Sequence, residues 1–490
     1  MAHERLTATD ASFLHIETPH EPQHVGSLSI LEGAPLRDAD GRIRIEEMRA
    51  FVQGRLHRVP RMRQRVRMVP FRQGRPVWVD DDHFDIEYHV RLTSLPRPGT
   101  HEQLLELMGR LQSLPLDRSR PLWEIWVVDG LADGNVAEII KTHHAMGDGI
   151  ANVDMILALI DTEASPPPDP PAPQWHPAPT PSDAELLGEA LLDQLGRPAA
   201  LLRNATAAVR HPRRFAGMVA DTLSTAVLFQ DRPAPAGWNV AVTAHRRWVS
   251  ATVSMDQVRA IRAAATGAKL NDVVLTACTG ALRDYMAAHG DDIDEGRTLK
   301  AMVPVSRRGD DEHDVTDNSL ANKVSLLVVD LPVHEVDPVA RLDAIHAQTG
   351  ELKGSGMADG VEHIVDLAGE LPMLAPALAR VVSRQIPMNL IITNVPGPPV
   401  TLFVRGARVL EAYPYVEVID GEGLTIAVLS YEGRLHFGIT ADLDVMPDVA
   451  DLAAGIERHF DELEAATGAP PAKPRRKAAA KGRSRPRATA

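Results

Sequence analysis

Apolar residues along the chain recur at helical spacing, at strand alternation or not at all, and these three regimes divide it. Met48, Phe51, Val52 and Leu56 share one helical face over 46–56, as do Leu104, Leu105, Leu107, Met108 and Leu111 over 101–114. Short β-branched and aromatic runs at Trp123–Val128 and Val136–Thr142 predict strands, with the turn Asp129–Gly134 between them. A helix is predicted over 150–160. Between Ser165 and Ser182 stand nine prolines, a density that forbids helix and sheet and predicts an extended linker. Residues 183–230 then read as amphipathic helix broken at Pro198 and Pro212. They form either a connector packed on the body or an interfacial helix pair touching lipid. From Arg246 the mixed pattern restarts. Strands are predicted at 248–253, 301–305, 323–329, 390–394, 407–411, 424–431 and 434–440, and helices at 255–265, 271–288 and 449–466. The expected organisation is a first α/β domain over 1–164, a Pro-rich and helical connector over 165–245, a second α/β domain over 246–466 and a tail over 467–490.

Composition narrows the function classes. A hydrophobic fraction of 44% supports a sizeable core, but with 4% aromatics it must be built mainly from Ala, Val, Leu and Ile. The single cysteine, Cys278, excludes a disulfide framework and a Cys-based zinc site. The first residues, Met1–Leu6, carry no basic and then apolar leader, and no run of about 18 apolar residues occurs. A cytoplasmic protein is expected, with any membrane contact peripheral. The net charge of −14 hides an asymmetry: the last eighteen residues hold eight Lys or Arg and no acid. An acidic body argues against nucleic acid as the main ligand, apart from nonspecific binding by the tail. The tail itself reads as disordered, and as either a solubilising segment or one attracted to anionic headgroups. Oligomeric state leaves no mark in the sequence.

One segment carries concentrated chemistry: His143-His144-Ala145-Met146-Gly147-Asp148-Gly149, where a strand gives way to a helix. Residues just beyond a strand end are held by a rigid scaffold. Adjacent histidines leaving a strand point to opposite sides, so one faces a given cleft and the other serves structure. A neutral imidazole, with a reference pKa of about 6.5, suits removal of a proton from an attacking alcohol. No covalent nucleophile is then needed if the acyl group arrives activated as a thioester, and no Gly-x-Ser-x-Gly elbow is present. Competing roles exist. Asp148 is placed to cap the following helix. His144 and Asp148 stand four apart, but a third metal ligand is lacking, so no metal is expected.

The segment is similar to the active-site signature shared by chloramphenicol acetyltransferase, carnitine acyltransferases and peptide-synthetase condensation domains. Companion stretches narrow the resemblance to the bacterial wax ester synthase/diacylglycerol acyltransferase family. They are Leu6–Leu14 with His24-Val25-Gly26, Pro121-Leu122-Trp123-Glu124, Asn271-Asp272-Val273-Val274-Leu275, Pro304–Arg308 and Asn394-Val395-Pro396-Gly397-Pro398. Each is weak alone, but they occur in the family's order across residues 6 to 465. One departure is Ala321-Asn322, where the family often carries Gly-Asn.

The resemblance implies two chloramphenicol-acetyltransferase-like α/β domains, with mixed sheets, flanking helices and the active site in the cleft between them. It implies transfer of a long-chain acyl group from acyl-CoA, a co-substrate, to diacylglycerol or a fatty alcohol, with no cofactor. His144 is then the general base and His143 its support. Asp148 and Gly149 hold the turn, with Arg307 a partner for Asp148 on charge grounds. Asn271 becomes a hydrogen-bond donor near the thioester carbonyl, unless it merely caps a helix starting at Asp272. Pro121, Leu122, Trp123, Asn394 and Gly397 are candidates for the substrate wall. Structure is the competing role of Trp123, which is bulky and starts a strand, and a tight turn is that of Pro396-Gly397. The expected location is the cytoplasm, on the inner membrane face or lipid inclusions. The alternatives are a catalytically weak protein bound at lipid inclusions, or condensation-type transfer from a carrier protein.

Overall fold

Two six-stranded mixed sheets, each dressed with helices, make up the body of the protein. The structure is a computed structural model, and it describes residues 3–147, 149–192, 233–265, 267–306, 324–352 and 388–469. Asp148, Arg307, Ala321, Asn322, most of the helical connector and the basic tail lie outside the described residues.

The first sheet is built around β1 (His24–Leu31), β4 (Val90–Ser94), β5 (Trp123–Asp129) and β6 (Val136–His143). Its helices are α1 (Ala8–Ile16), α2 (Ile45–Arg55), α3 (Ile86–His89), α4 (His101–Gln112) and α5 (Gly149–Leu157), beside a small hairpin of β2 (Gln64–Arg67) and β3 (Val77–Asp80). α4 starts at a capping box: the Thr100 hydroxyl accepts from Gln103 N at 3.3 Å and the Gln103 side chain accepts from Thr100 N at 2.8 Å. It ends on a cation. Buried Lys141 donates to the carbonyls of Leu111, at 2.9 Å, and Leu114, satisfying acceptors that a helix C-terminus leaves open.

The second sheet runs β7-β14-β13-β10-β8-β9, from β7 (Arg246–Ser254), β8 (Leu299–Ser306), β9 (Val324–Leu331), β10 (Leu390–Val395), β13 (Leu424–Tyr431) and β14 (Arg434–Asp442). α6 (Met255–Ala264), α7 (Leu270–His289), α8 (Pro338–Leu352) and α9 (Ala450–Ala466) accompany it. Leu452, Ile456, Phe460 and Leu463 of α9 are fully buried at helical spacing in its core. Cys278 is buried in α7, and burial pushes its thiol up to about 12, so it is no nucleophile.

The two halves are not the separate sequence blocks expected. β11 (Phe403–Val404) and β12 (Ala407–Val416) lie inside 246–466, yet they complete the first sheet, whose order is β11-β12-β1-β6-β5-β4. β12 pairs antiparallel with β1 from Val25–Val416 to Leu31–Val409. Strand pairing is non-local, so nothing within 407–416 shows which sheet takes it. β12 also anchors the halves together. A Cβ at Gly438 on β14 would fall 1.8 Å from the Pro414 carbonyl oxygen, so only glycine lets the two sheets meet there. Trp248 packs edge-on to Tyr413, whose hydroxyl lies 3.0 Å from Thr252 Oγ1.

The connector is likewise bound to the body where it is described. Residues 166–182 have no regular structure, as the prolines require. They are nevertheless tied down: Asp169 pairs with Arg55 at 2.6 Å and also with Arg58, and Trp175 sits under Arg63 and edge-on to Phe84. Further on, Trp238 is buried in the second core and donates to the Asn389 carbonyl at 2.8 Å, so the second half begins before residue 246.

Candidate active site

The histidine segment forms where β6 ends. His143 is the last strand residue and His144–Met146 make a single 3-10 turn, with α5 starting at Gly149. β6 runs beside β1 and β5, so the segment leaves from the middle of the sheet rather than its edge. Its exit is fixed by three backbone bonds: His143 N to Leu122 O, His144 N to Gln23 O, both at 2.9 Å, and Gly147 N to His144 O at 3.3 Å. From α5, Asn152 Nδ2 donates to the Gly147 carbonyl at 2.7 Å.

The two histidines divide as alternation requires. His143 is fully buried. Its Nδ1 accepts from Ala145 N at 2.9 Å, which places the ring proton on Nε2, and Nε2 lies 3.5 Å from Glu17 Oε1. Burial lowers the pKa of His143 against the pull of Glu17, so the ring is neutral near pH 7. Burial works against the charge on Glu17 as well, but His143 and Arg118 hold its carboxyl down to about 2. Arg118 Nε donates to Glu17 at 2.7 Å, and His24 Nε2 lies 3.7 Å from it. His144 is only partly buried, and its ring stacks on Phe13 with centroids 3.9 Å apart and planes 10° apart. α1 therefore serves both rings, through Phe13 and through Glu17 one turn later.

Glu17 and Asn152 were not expected from sequence. Glu17 closes a helix that the apolar pattern does not predict, and two of its partners, Arg118 and His143, are more than a hundred residues away. Asn152 is three residues beyond the motif, and only the fold of the turn shows that it holds Gly147.

On one side of the motif opens an apolar cavity enclosing about 690 Å³ between atoms, part of it open to solvent. Met146, Thr142 and Asn152 from the motif region line it, with Trp123, Met155 and Phe51 among the apolar walls. Trp123 thus belongs to the wall. It is also a core residue, 1% exposed, donating from Nε1 to the Met62 carbonyl at 2.8 Å and stacking on His89 at 4.4 Å. Leu122 is fully buried, and its carbonyl receives the His143 N–H. Pro121 is not part of the cavity lining, though its carbonyl accepts from Trp123 N at 2.9 Å.

From the second half, Asn271 and Asn394 come together: Asn394 Nδ2 donates to Asn271 Oδ1 at 2.7 Å. That bond uses the carbonyl of Asn271 and leaves its N–H donors for another acceptor. Asn271 is not a helix cap. α7 begins one residue earlier, at Leu270, and the capping carboxylate is Asp272, which accepts from Lys269 N at 2.8 Å and from Thr349 Oγ1 at 2.8 Å. Next to Asn394, Val395 packs on the first-half core that holds Ala145 and Met146, so the end of β10 reaches the motif's side of the molecule. Gly397 does not make the tight turn expected; residues 396–398 are irregular. Its lack of a side chain serves a close approach instead, since a Cβ would fall 2.0 Å from Ser430 O. Asp148 and Arg307 lie outside the described residues. Among the described residues, no cluster of three His, Cys, Asp or Glu side chains is placed to hold a metal ion.

Residues 6–274 match the family profile of the wax ester synthase/diacylglycerol acyltransferase catalytic domain, and residues 320–464 that of the same family's C-terminal domain. The chain belongs to this family. A Mycobacterium tuberculosis protein bearing the name probable diacylglycerol O-acyltransferase is 34% identical over 457 residues, 92% of this chain and 94% of its own. The fold is that of a solved wax ester synthase/diacylglycerol acyltransferase from Marinobacter aquaeolei, with a TM-score of 0.67, 24% identity, and 95% of this chain and 100% of that chain covered. A starter condensation domain of rhizomide synthetase shares the fold at a TM-score of 0.57 and 13% identity, over 95% of this chain and 94% of that one. The two-domain, chloramphenicol-acetyltransferase-like architecture is thereby established, with β12 exchanged into the first sheet.

Proposed function

We propose that this member of the wax ester synthase/diacylglycerol acyltransferase family moves a long-chain acyl group from acyl-CoA to the hydroxyl of diacylglycerol or a fatty alcohol. The observation that carries the reading is the placement of His144: partly exposed at a strand exit, stacked on Phe13, and between Thr142 and Met146 in the chain, both of which line an apolar cavity that suits an aliphatic chain. His144 takes the acceptor's hydroxyl proton as the oxygen attacks the thioester carbonyl. The tetrahedral intermediate collapses with breakage of the C–S bond, and the proton passes to the departing thiolate, giving ester and free coenzyme A. Asn271, with its carbonyl engaged by Asn394, is the proposed donor to the developing oxyanion.

Glu17 acts through His143, as a positioning residue. Glu17→Gln is expected to lower kcat with little change in KM. Because the folded pKa is depressed, its stabilisation is present above the unfolded value of about 4.5 and lost as pH falls towards 2. The variant should therefore be destabilised at pH 7, by on the order of 2 kcal/mol after allowing for the exposure of Arg118, and indistinguishable from wild type near pH 2. Thermal unfolding across that range checks it; an equal gap at both ends would contradict the pairing.

The working location is proposed to be a lipid surface. Among the described residues no helix is long and apolar enough to cross a membrane. Exposed Phe71 and Met68 stand beside Arg72 and Arg75, with Leu191 and Leu192 also exposed, and the basic tail adds attraction to anionic headgroups. The activity is tested by coenzyme A release from palmitoyl-CoA with diacylglycerol and with hexadecanol. Turnover with neither acceptor would return the reading to a lipid-binding protein.

A further inference from the structure

The cavity beside the motif has one anomalous wall residue, Glu138. It sits on β6, four residues before Thr142, and the two-residue period of a strand puts Glu138, Ile140 and Thr142 on the same, cavity-lining face. At strand rise, Glu138 is ~13 Å deeper than Thr142. Its register partners are Ser29 on β1 and Val127 on β5, so a hydroxyl and an aliphatic side chain flank it. The rest of the lining is aliphatic, aromatic or methionine, apart from Thr142 and Asn152 at the motif end.

Glu138 is 8% exposed and takes part in no hydrogen bond or ion pair among the described residues. Burying a carboxyl without a partner costs stability, and a sheet position facing an oily cavity is filled at no such cost by Val or Ile. The mechanism above gives Glu138 no task, because it is far along the strand from His144. Burial raises its pKa to about 7, so near neutral pH much of it is protonated and able both to donate and to accept.

We propose that Glu138 is the polar floor of the chain-binding cavity and selects aliphatic chains that carry a hydroxyl at that depth. The Glu138 carboxyl and the chain hydroxyl then exchange a hydrogen bond that an unsubstituted chain leaves unmade. The inference rests on the acyl-transfer reading for which chain enters. The hydroxylated chain arrives either on the acyl donor or on the acceptor alcohol.

The first test needs no turnover. Ricinoleate and oleate differ only by a mid-chain hydroxyl, and Trp123 in the cavity wall reports binding by intrinsic fluorescence. Wild type should prefer ricinoleate, and Glu138→Leu should lower the ricinoleate-to-oleate affinity ratio by about three- to tenfold. Glu138→Gln, which keeps a donor and an acceptor, should retain most of the preference. A ratio unchanged in Glu138→Leu overturns the proposal. Turnover then locates the source. Ricinoleoyl-CoA is compared with oleoyl-CoA on hexadecanol, and ricinoleyl alcohol with oleyl alcohol on oleoyl-CoA. A Glu138-dependent preference in either arm supports the assignment, and none in both overturns it. Discrimination in binding without any coenzyme A release would sink the acyl-transfer reading and leave the pocket assignment standing.

Discussion

Replacing His144 with alanine is expected to lower acceptor-dependent coenzyme A release by about 10²–10⁴-fold, the range lost with a general base. The loss should fall on kcat, because the ring meets the acceptor proton in the transition state and contributes little to holding the chain. His144 is well suited to a clean test. Its backbone N–H is held by the Gln23 carbonyl, a bond that alanine keeps, and its partly exposed ring stacks on Phe13 rather than filling the core. Folding should therefore survive. Thiol release, read alongside the thermal unfolding midpoint, separates chemistry from stability. An alanine variant that folds and turns over like wild type would remove His144 from the mechanism. His143→Ala is the less informative experiment, because it also deletes the acceptor of the Ala145 N–H and takes one partner from Glu17.

Trp123→Ala should destabilise the first half by about 3–5 kcal/mol, the usual cost of deleting a fully buried indole. Three losses combine. The ring gives up its core contacts, the Met62 carbonyl loses its donor, and the stack on His89 disappears. The hole opens into the adjoining cavity, so the walls cannot close over it without collapsing the chain site. Trp123→Phe should recover most of the packing and none of the hydrogen bond. Thermal and denaturant midpoints check both variants, and a change within experimental error for the alanine variant would show that the indole is not integral to the core. Because the same ring lines the cavity, KM for long-chain substrates should shift in both.

Much of this architecture was legible in the sequence, and the boundary of what was legible has physical causes. Helices α2, α4, α7 and α9 carry apolar residues at helical spacing, and each lies within a residue or two of its expectation. Strands β5, β6, β13 and β14 are dense in β-branched and aromatic residues and stand as read. β1 escaped because Gly26, Ser27 and Ser29 break its apolar pattern on a strand buried by its neighbours rather than by its composition. The exchange of β12 escaped because register is decided by tertiary partners. The motif's chemistry was readable in seven adjacent residues. What positions it was not: Phe13 and Glu17 arrive from α1, and Asn271 meets Asn394 across more than a hundred residues of chain. Glu138 reads in sequence as an ordinary polar residue of a strand, and only the cavity reveals that it faces oil.

The most direct test follows one acyl chain. Purified protein is given palmitoyl-CoA labelled in the acyl group together with unlabelled diacylglycerol, and the label is traced through the products. Acyl transfer at His144 predicts label in triacylglycerol, matched mole for mole by free coenzyme A, with release dependent on the acceptor. Label in free palmitate, or coenzyme A released equally without diacylglycerol, would show that water rather than a lipid hydroxyl is the partner of the thioester and would contradict the account.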